Sequence, residues 1–107
     1  MTQTPPGTPD GIRHGAMATA RAARYAKQLA GHWARKGSVE EEDGATVIRF
    51  ETGQVVRLAP GETALRIAAS VPEGGDADRF ATVVAEHLQR FGQRDELDVV
   101  WEPTPAD

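Results

Sequence analysis

The segment that decides the fold is "SVEEEDGATVIRFETGQVVRLAPGETALRIAASV", residues 38–71. Apolar and polar side chains alternate through it with a period of two, which is typical of β-strands with one buried face. Three short links divide it into four predicted strands: Asp43-Gly44, Glu51-Thr52-Gly53 and Pro60-Gly61. Because links this short join antiparallel neighbours, the segment predicts a four-stranded antiparallel meander.

The pairing of these strands follows from counting outward from each turn. One predicted row on the core face contains Val39, Ile48, Val56 and Leu65. A row on the opposite face contains Ser38, Arg49, Val55 and Arg66, and the next row contains Arg57. The guanidinium groups of Arg49, Arg57 and Arg66 therefore share the outward face, where they could bind carboxylates or phosphates. The alternative is an exposed face whose arginines pair with nearby carboxylates, an interaction that contributes little.

Two amphipathic helices flank the meander. The first is predicted over residues 19–36, with Thr19 as its N-cap and Gly37 at its C-terminal end. Its apolar stripe contains Ala22, Ala26, Leu29 and Trp33. The second is predicted over residues 76–91, with Asp76 as its N-cap. Its apolar stripe contains Phe80, Val83, Val84, Leu88 and Phe91.

Two further strands, at residues 12–18 and 97–102, complete the predicted order β-α-β-β-β-β-α-β. Each helix has one apolar stripe and the sheet has one apolar face. An α+β fold, with an antiparallel sheet and two helices packed on one face, buries all three. We expect residues 13–102 to form a single domain between flexible tails at residues 1–12 and 103–107. Both tails are rich in Pro and Thr and have no periodic pattern of apolar residues.

Composition excludes several classes of function. The 107 residues include no cysteine, so disulfides and thiolate metal sites are excluded. No apolar run reaches membrane-spanning length and no signal peptide is recognisable, so we expect a cytoplasmic chain without a membrane partner. A net charge of −4 argues against nucleic acid. No phosphate-binding loop or nucleophile motif is found, and no catalytic residue, metal site or cofactor is predicted.

Two histidines are the candidate ligand-binding residues on the helices. His87 follows Val84 and precedes Leu88 on the stripe of the second helix, and His32 lies beside Trp33 at the edge of the first stripe. A buried imidazole is tolerated where its nitrogens are hydrogen-bonded, so one interpretation is a structural histidine with a partner. The other is a ligand or a general acid–base where helices and sheet meet. The sequence leaves open whether the two histidines approach each other.

Three stretches carry a resemblance to a known family: "RYAKQLAGHW" (24–33), "HLQRF" (87–91) and "RDELDVVW" (94–101). Over roughly residues 17–102 the chain resembles the bacterial domain-of-unknown-function family DUF2218. Members often carry His-aromatic-x-His-Lys in the first helix, whereas Arg35 stands here at the second histidine position. The resemblance implies association with siderophore-interacting and iron-uptake genes.

These observations leave three functions open. The first is a small non-enzymatic binding or accessory domain, in siderophore or iron metabolism as the resemblance implies. The second is a metal- or haem-binding protein, or a minor enzyme, using His32 and His87. The third is a protein–protein interaction module that uses the outer sheet face.

The expected partner is an anionic small molecule or another protein, and the chain is expected to be a monomer or a homodimer. A rival basic surface, which could bind an anion in place of the outward arginines of the sheet, lies on the first helix and consists of Arg21, Arg24, Lys27 and Arg35.

Overall fold

The computed structural model describes residues 11–72, 74–92 and 97–102. The elements are β1 (Ile12–Ala18), α1 (Ala22–Trp33), β2 (Gly37–Glu42), β3 (Ala45–Phe50), β4 (Val55–Pro60), β5 (Ala64–Ser70), α2 (Ala77–Phe91) and β6 (Val99–Trp101). Their order confirms the predicted α+β sequence of elements. Residues 1–10 and 103–107, most of the predicted tails, lie outside the described residues, and Ile12 is the first residue of β1.

The strands form one six-stranded sheet in the order β2-β3-β4-β5-β1-β6, with every neighbouring pair antiparallel. The first strand therefore lies inside the sheet, between β5 and β6. Helix α1 packs over β3, β4 and β5, and α2 packs over β5, β1 and β6. Neither of the two helices described is long and apolar enough to cross a membrane.

The core lies between the helices and the inner face of the sheet. Its largest fully buried side chains are Met17, Leu29, Ile48, Leu58, Leu65, Leu88, Val56 and Val84. They come from β1, both helices and three strands of the meander, and these elements pack their apolar sides into one cluster. Val39 of the edge strand β2, predicted on the core face, is instead 39% exposed. Burying a side chain of this size stabilises the fold by about 1.5–3 kcal/mol before the loss of chain entropy is counted.

The first two turns of the meander are as predicted. Asp43 and Gly44 have φ angles of 51° and 82°, the left-handed conformations that a two-residue hairpin turn of the primed type requires. In the second link, Gly53 has a φ of 96°, and the Phe50 N–H donates to the Gln54 carbonyl at 2.9 Å. Both turns thus use the residues that tolerate positive φ.

The predicted pairing of β4 with β5 is wrong by four residues. Val56 pairs with Ala69, whereas the count from the sequence paired it with Leu65. Because side chains alternate with a period of two, a shift of four leaves every residue on its predicted face. Arg57 and Arg66 therefore still point outward, although they have different cross-strand partners.

The cause of this shift is the position of the turn. The Gly61 N–H donates to the Ala64 carbonyl at 2.8 Å, so the link turns at Glu62-Thr63. Pro60 is instead the last residue of β4. Its ring holds φ near −65°, which is incompatible with the positive φ that the first position of a primed turn needs.

Helix α1 is shorter than predicted at both ends. Its N-cap is Arg21, whose side chain makes no capping hydrogen bond. The hydroxyl of Thr19 accepts from the Arg21 N–H at 3.0 Å, so it shapes the approach to the helix and is not the predicted N-cap. The C-cap is Ala34, and Gly37 is already the first residue of β2. Helix α2 begins and ends as predicted, apart from the cap residue itself.

Candidate functional site

A cleft of about 590 Å³ opens where the C-terminal end of α1, the β3–β4 turn and the N-terminal part of α2 meet. Its aromatic lining consists of Trp33, Phe50 and Phe80. The ring centroids of Trp33 and Phe50 are 5.2 Å apart, and those of Phe50 and Phe80 are 6.0 Å apart, both edge to face. These are favourable aromatic geometries, so the three rings form a well-packed apolar floor.

Positive side chains line the rim of this cleft. Arg35, Lys36 and Arg79 are exposed, and none of them makes an ion pair with another residue in the described ranges. Glu51 and Asp76 also line the cleft. The Asp76 carboxylate accepts from the Arg79 backbone N–H at 3.0 Å, so it is engaged in capping α2. The rim therefore presents unpaired cations next to an apolar floor.

The local chain geometry explains why these cations are there. Arg35 and Lys36 follow directly on α1, where positive charge is favourable near the partial negative charge of a helix C-terminus. The Lys36 N–H donates to the Trp33 carbonyl at 2.9 Å, which turns the link back beside the floor. Arg79 lies in the first turn of α2, whose start the Asp76 cap defines.

The two candidate histidines meet across the helices beside the cleft. The ring centroids of His32 on α1 and His87 on α2 are 5.0 Å apart, with the planes tilted by 49°. His87 is half-buried and also lies 5.0 Å from the Trp33 ring, whereas His32 is exposed and lies 5.9 Å from the Phe91 ring. The fold thus brings together two residues whose proximity the sequence left open.

One nitrogen of His87 has a defined partner. Its Nδ1 lies 2.8 Å from the backbone carbonyl oxygen of Val83. Because a carbonyl can only accept, Nδ1 carries the proton in the neutral ring, and the Nε2 lone pair is outside this bond. One of the two hydrogen bonds that a structural histidine would make is therefore present, and a role of His87 in ligand binding stays a prediction. In the described residues, no group of three or more His, Asp or Glu is placed to hold a metal ion.

The predicted outward arginines divide into two environments. Arg49 donates to Glu42 at 3.0 Å and to Glu40 at 3.4 Å, and the hydrogen bonds to Glu42 and then Glu40 raise the pKa of its guanidinium. Arg57 lies 3.7 Å from a carboxylate oxygen of Glu42. This end of the face therefore shows the carboxylate pairing that was the alternative to a binding site.

Arg66 lies apart from Arg49. The register places them four residues apart along the strand direction, which is about 13 Å at 3.3 Å per residue. Arg66, Arg57 and the exposed His14 line a shallow groove of about 260 Å³ with an alanine-rich floor. The three arginines consequently share a face without converging on one point.

The cleft contains residues that the sequence analysis missed. Lys36 and Arg79 were not among the candidates, and Arg35 was named only within the rival basic surface of the first helix. In the sequence each is an ordinary charged residue, and Arg79 lies 43 residues after Lys36. The pair of basic residues just after Trp33 was the one sequence feature that could have indicated the cleft. It does not indicate that α2 lies across the cleft from them.

Comparison with known proteins identifies the family. Residues 14–102 match the family described as "Uncharacterized protein conserved in bacteria (DUF2218)". The chain belongs to this family. Its fold is similar to that of PA4090 from Pseudomonas aeruginosa, determined by NMR, with a TM-score of 0.69 and 26% sequence identity over 90% of this chain and 99% of PA4090. No curated protein matches the chain. Membership confirms the resemblance that three stretches of the sequence carried.

Proposed function

We propose that this domain binds a small molecule that combines a planar aromatic group with a negative charge, and that it does so in the cleft. The observation that carries the proposal is the set of unpaired cations, Arg35, Lys36 and Arg79, beside the aromatic floor. The volume of about 590 Å³ falls within the range of about 300–1,000 Å³ found for small-molecule sites.

The two parts of the site account for the two parts of the ligand. An aromatic ring gains from burial and from edge or face contacts with Trp33, Phe50 and Phe80. A carboxylate or phosphate gains from the arginine side chains, which can donate two parallel hydrogen bonds. The described lining residues include no pairing of a nucleophile with a general base. Binding is therefore the function that we propose for this cleft.

The chemistry of the proposed ligand fits the association implied by the family resemblance. Aryl carboxylates and catecholates are iron-chelating groups in siderophores, and both are planar anions. We extend the proposal to this finer level: the domain serves siderophore or iron metabolism by binding such a molecule or its precursor. The cytoplasmic location expected from the sequence stays a prediction.

The proposal is tested by titrating the full chain with salicylate and with its neutral counterpart salicylamide, using calorimetry. We expect saturable binding of salicylate, weaker binding of salicylamide, and a loss of the difference at high salt, because screening removes the attraction of exposed cations. Equal affinity for the two compounds would show that the cations take no part, and absence of binding by both would contradict the proposed ligand class.

A matched pair of double variants locates the charged contact. Arg35→Gln with Arg79→Gln removes two positive charges from the cleft, and Arg49→Gln with Arg66→Gln removes two from the outer sheet face. At about 0.3–1 kcal/mol for each exposed charge pair, the cleft variant should weaken salicylate binding about 3- to 30-fold. The outer-face variant should leave it unchanged. The reverse result would move the anion site to the outward arginines, as the sequence analysis first suggested.

The outer sheet face keeps a second candidate role, as a protein-interaction surface. Helices cover only the inner face in the described part of the chain, and Val100 on the edge strand β6 is 70% exposed. An exposed edge strand can pair with another chain. Val100→Lys tests this role, because a charge on the strand edge should abolish any self-association measured by analytical ultracentrifugation. A monomer before and after the change would leave no support for homodimerisation through β6.

A further inference from the structure

We propose that His32 and His87 form a two-histidine site for a late first-row divalent cation, with Cu²⁺ bound most tightly. Neither histidine lines the cleft, so the site goes beyond the proposed function and does not depend on it. Three features carry the inference: the separation of the rings, the hydrogen bond that orients one of them, and the free nitrogens that result.

The separation of the rings suits a shared metal ion. With a metal–nitrogen bond of about 2.0–2.1 Å, the centroid of a coordinating imidazole lies about 3.2 Å from the ion. Two such rings have centroids about 4.5 Å apart at the 90° angle of a tetragonal Cu²⁺ site and about 5.2 Å apart at a tetrahedral angle. The centroids of His32 and His87 are 5.0 Å apart. Because His32 is exposed, its side chain can rotate to direct a nitrogen at the same point as His87.

The hydrogen bond of His87 is of the kind that orients a metal ligand. Metal-binding histidines commonly donate one ring N–H to a carbonyl or carboxylate, which fixes the tautomer and leaves the other nitrogen for the ion. In His87 the bond from Nδ1 to the Val83 carbonyl leaves Nε2 in that role. His32 makes no hydrogen bond with any residue of the described ranges, so its nitrogens are available as well.

The surroundings of the pair favour a localised site. The rings of Trp33 and Phe91 flank the histidines, at 5.0 Å from His87 and 5.9 Å from His32 respectively. These rings restrict the imidazoles on one side, while the exposed side of His32 gives an ion access. His87, held by its hydrogen bond and by the Trp33 ring, loses less side-chain freedom when the ion binds than a mobile surface histidine would lose.

The donor set selects the class of ion. Imidazole nitrogen suits zinc, copper and nickel, and affinity for a given site rises along the series to Cu²⁺ and falls again at Zn²⁺. Two protein ligands leave coordination positions for water or for a ligand from solution, as in open metal sites. The site should therefore rank Cu²⁺ above Ni²⁺ and Zn²⁺.

The experiment is a titration of the full chain with Cu²⁺, followed by tryptophan fluorescence in a Trp101→Phe background. Trp33 is then the single indole, and its ring lies 5.0 Å from His87, so a bound Cu²⁺ ion should quench it. We expect saturable quenching at one ion per chain. His32→Ala should weaken binding by about tenfold or more, since even losing an outer-shell partner costs 10- to 100-fold.

The matched control is His14→Ala. His14 is an exposed histidine on β1, on the opposite side of the sheet, and its removal should leave Cu²⁺ affinity unchanged. Electron paramagnetic resonance of the Cu²⁺ complex gives a readout that does not depend on the Trp101 substitution. A spectrum with two imidazole nitrogens bound to copper in the natural chain, and with one in His32→Ala, would support the site.

The proposal fails if His32→Ala and His14→Ala weaken binding equally, or if the natural chain shows fewer than two imidazole nitrogens at the copper. The cleft variant, Arg35→Gln with Arg79→Gln, should retain full Cu²⁺ affinity. A chain that binds Cu²⁺ but not salicylate would therefore reject the proposed function alone, and the converse would reject the metal site alone.

Discussion

At the scale of single residues, His87 shows how one side chain can be structural and chemically available together. Its Nδ1 donates to the Val83 carbonyl, and its ring packs beside Trp33. In an α-helix the same carbonyl is also the acceptor for the main-chain N–H of His87. The Val83 carbonyl thus accepts from two donors, and the bond from Nδ1 orients the ring.

We predict that His87→Ala lowers the free energy of unfolding by about 1–2 kcal/mol, from lost ring packing and one lost hydrogen bond. His32→Ala should change it by about 0.5 kcal/mol or less, since His32 is exposed. Urea denaturation of both variants measures the difference. Equal losses for the two would mean that the contact between the rings, and not the burial of His87, supplies the stability.

At the scale of elements, the position of β1 inside the sheet depends on a close contact with the edge strand β6. Gly15 of β1 pairs with Trp101 of β6. A Cβ atom at position 15 would lie 2.6 Å from the Trp101 ring and 2.9 Å from the Val100 carbonyl oxygen. Only glycine lets the two strands and the tryptophan ring approach this closely, so the docking of the last strand rests on one missing side chain.

The same substitution should therefore have opposite effects at two glycines. Gly15→Ala should destabilise the fold by about 1–3 kcal/mol, because the Trp101 ring must move. Gly31→Ala should stabilise it by about 0.5–1 kcal/mol, since nothing lies within 4 Å of the added atom and alanine favours the helix. Thermal and urea unfolding give both values. A stabilising Gly15→Ala would show that β6 is not held against Gly15.

A second prediction at this scale concerns the start of α2. Asp76→Ala removes the N-cap and should cost about 0.5–2 kcal/mol of stability. It also removes a negative charge from the cleft, so salicylate affinity should rise about two- to fivefold. Asp78→Ala is the control, because Asp78 pairs with Arg13 at 2.8 Å and does not line the cleft. Affinity that rises equally in both variants would indicate a general charge effect.

At the scale of the whole molecule, the two faces of the sheet differ in what they offer. The inner face carries both helices. The cleft lies where the end of α1 meets the start of α2, and the histidine pair lies where the two helices contact each other. The outer face carries the paired Arg49 and the groove beside Arg66. With a net charge of −4 for the chain, the cation-rich rim of the cleft is a local reversal of sign that suits an anionic ligand.

We predict that deleting residues 1–10 leaves the stability of the domain unchanged. The first strand begins at Ile12, and the preceding Gly11 carbonyl accepts from the Val71 N–H at 2.8 Å, so β1 stays whole. Deleting residues 1–13 is the positive control, because it removes part of β1 and the ion pair of Arg13 with Asp78. A large loss of stability in the shorter deletion would show that the tail contributes to the folded domain.

The sequence by itself determined the elements of this protein. Alternation and helical periodicity are local properties, and they predicted both helices, the meander and the α+β class because each segment must bury one apolar side. The Asp43-Gly44 turn was predictable since its φ angles are a property of two adjacent residues. Family membership was predictable in the same way, from short contiguous stretches.

Only the tertiary structure decided where β1 and β6 sit, how far β5 slides along β4, and which side chains meet. The four-residue shift depended on Pro60, whose fixed φ moved the turn without changing any face. His32 and His87 were visible as candidates, but their 5.0 Å contact depends on how two helices cross. The cleft cations come from separate elements, and nothing in the sequence around Arg79 indicates that it lines the same cleft as Trp33. Contacts between distant segments are set by packing, which one segment's sequence does not contain.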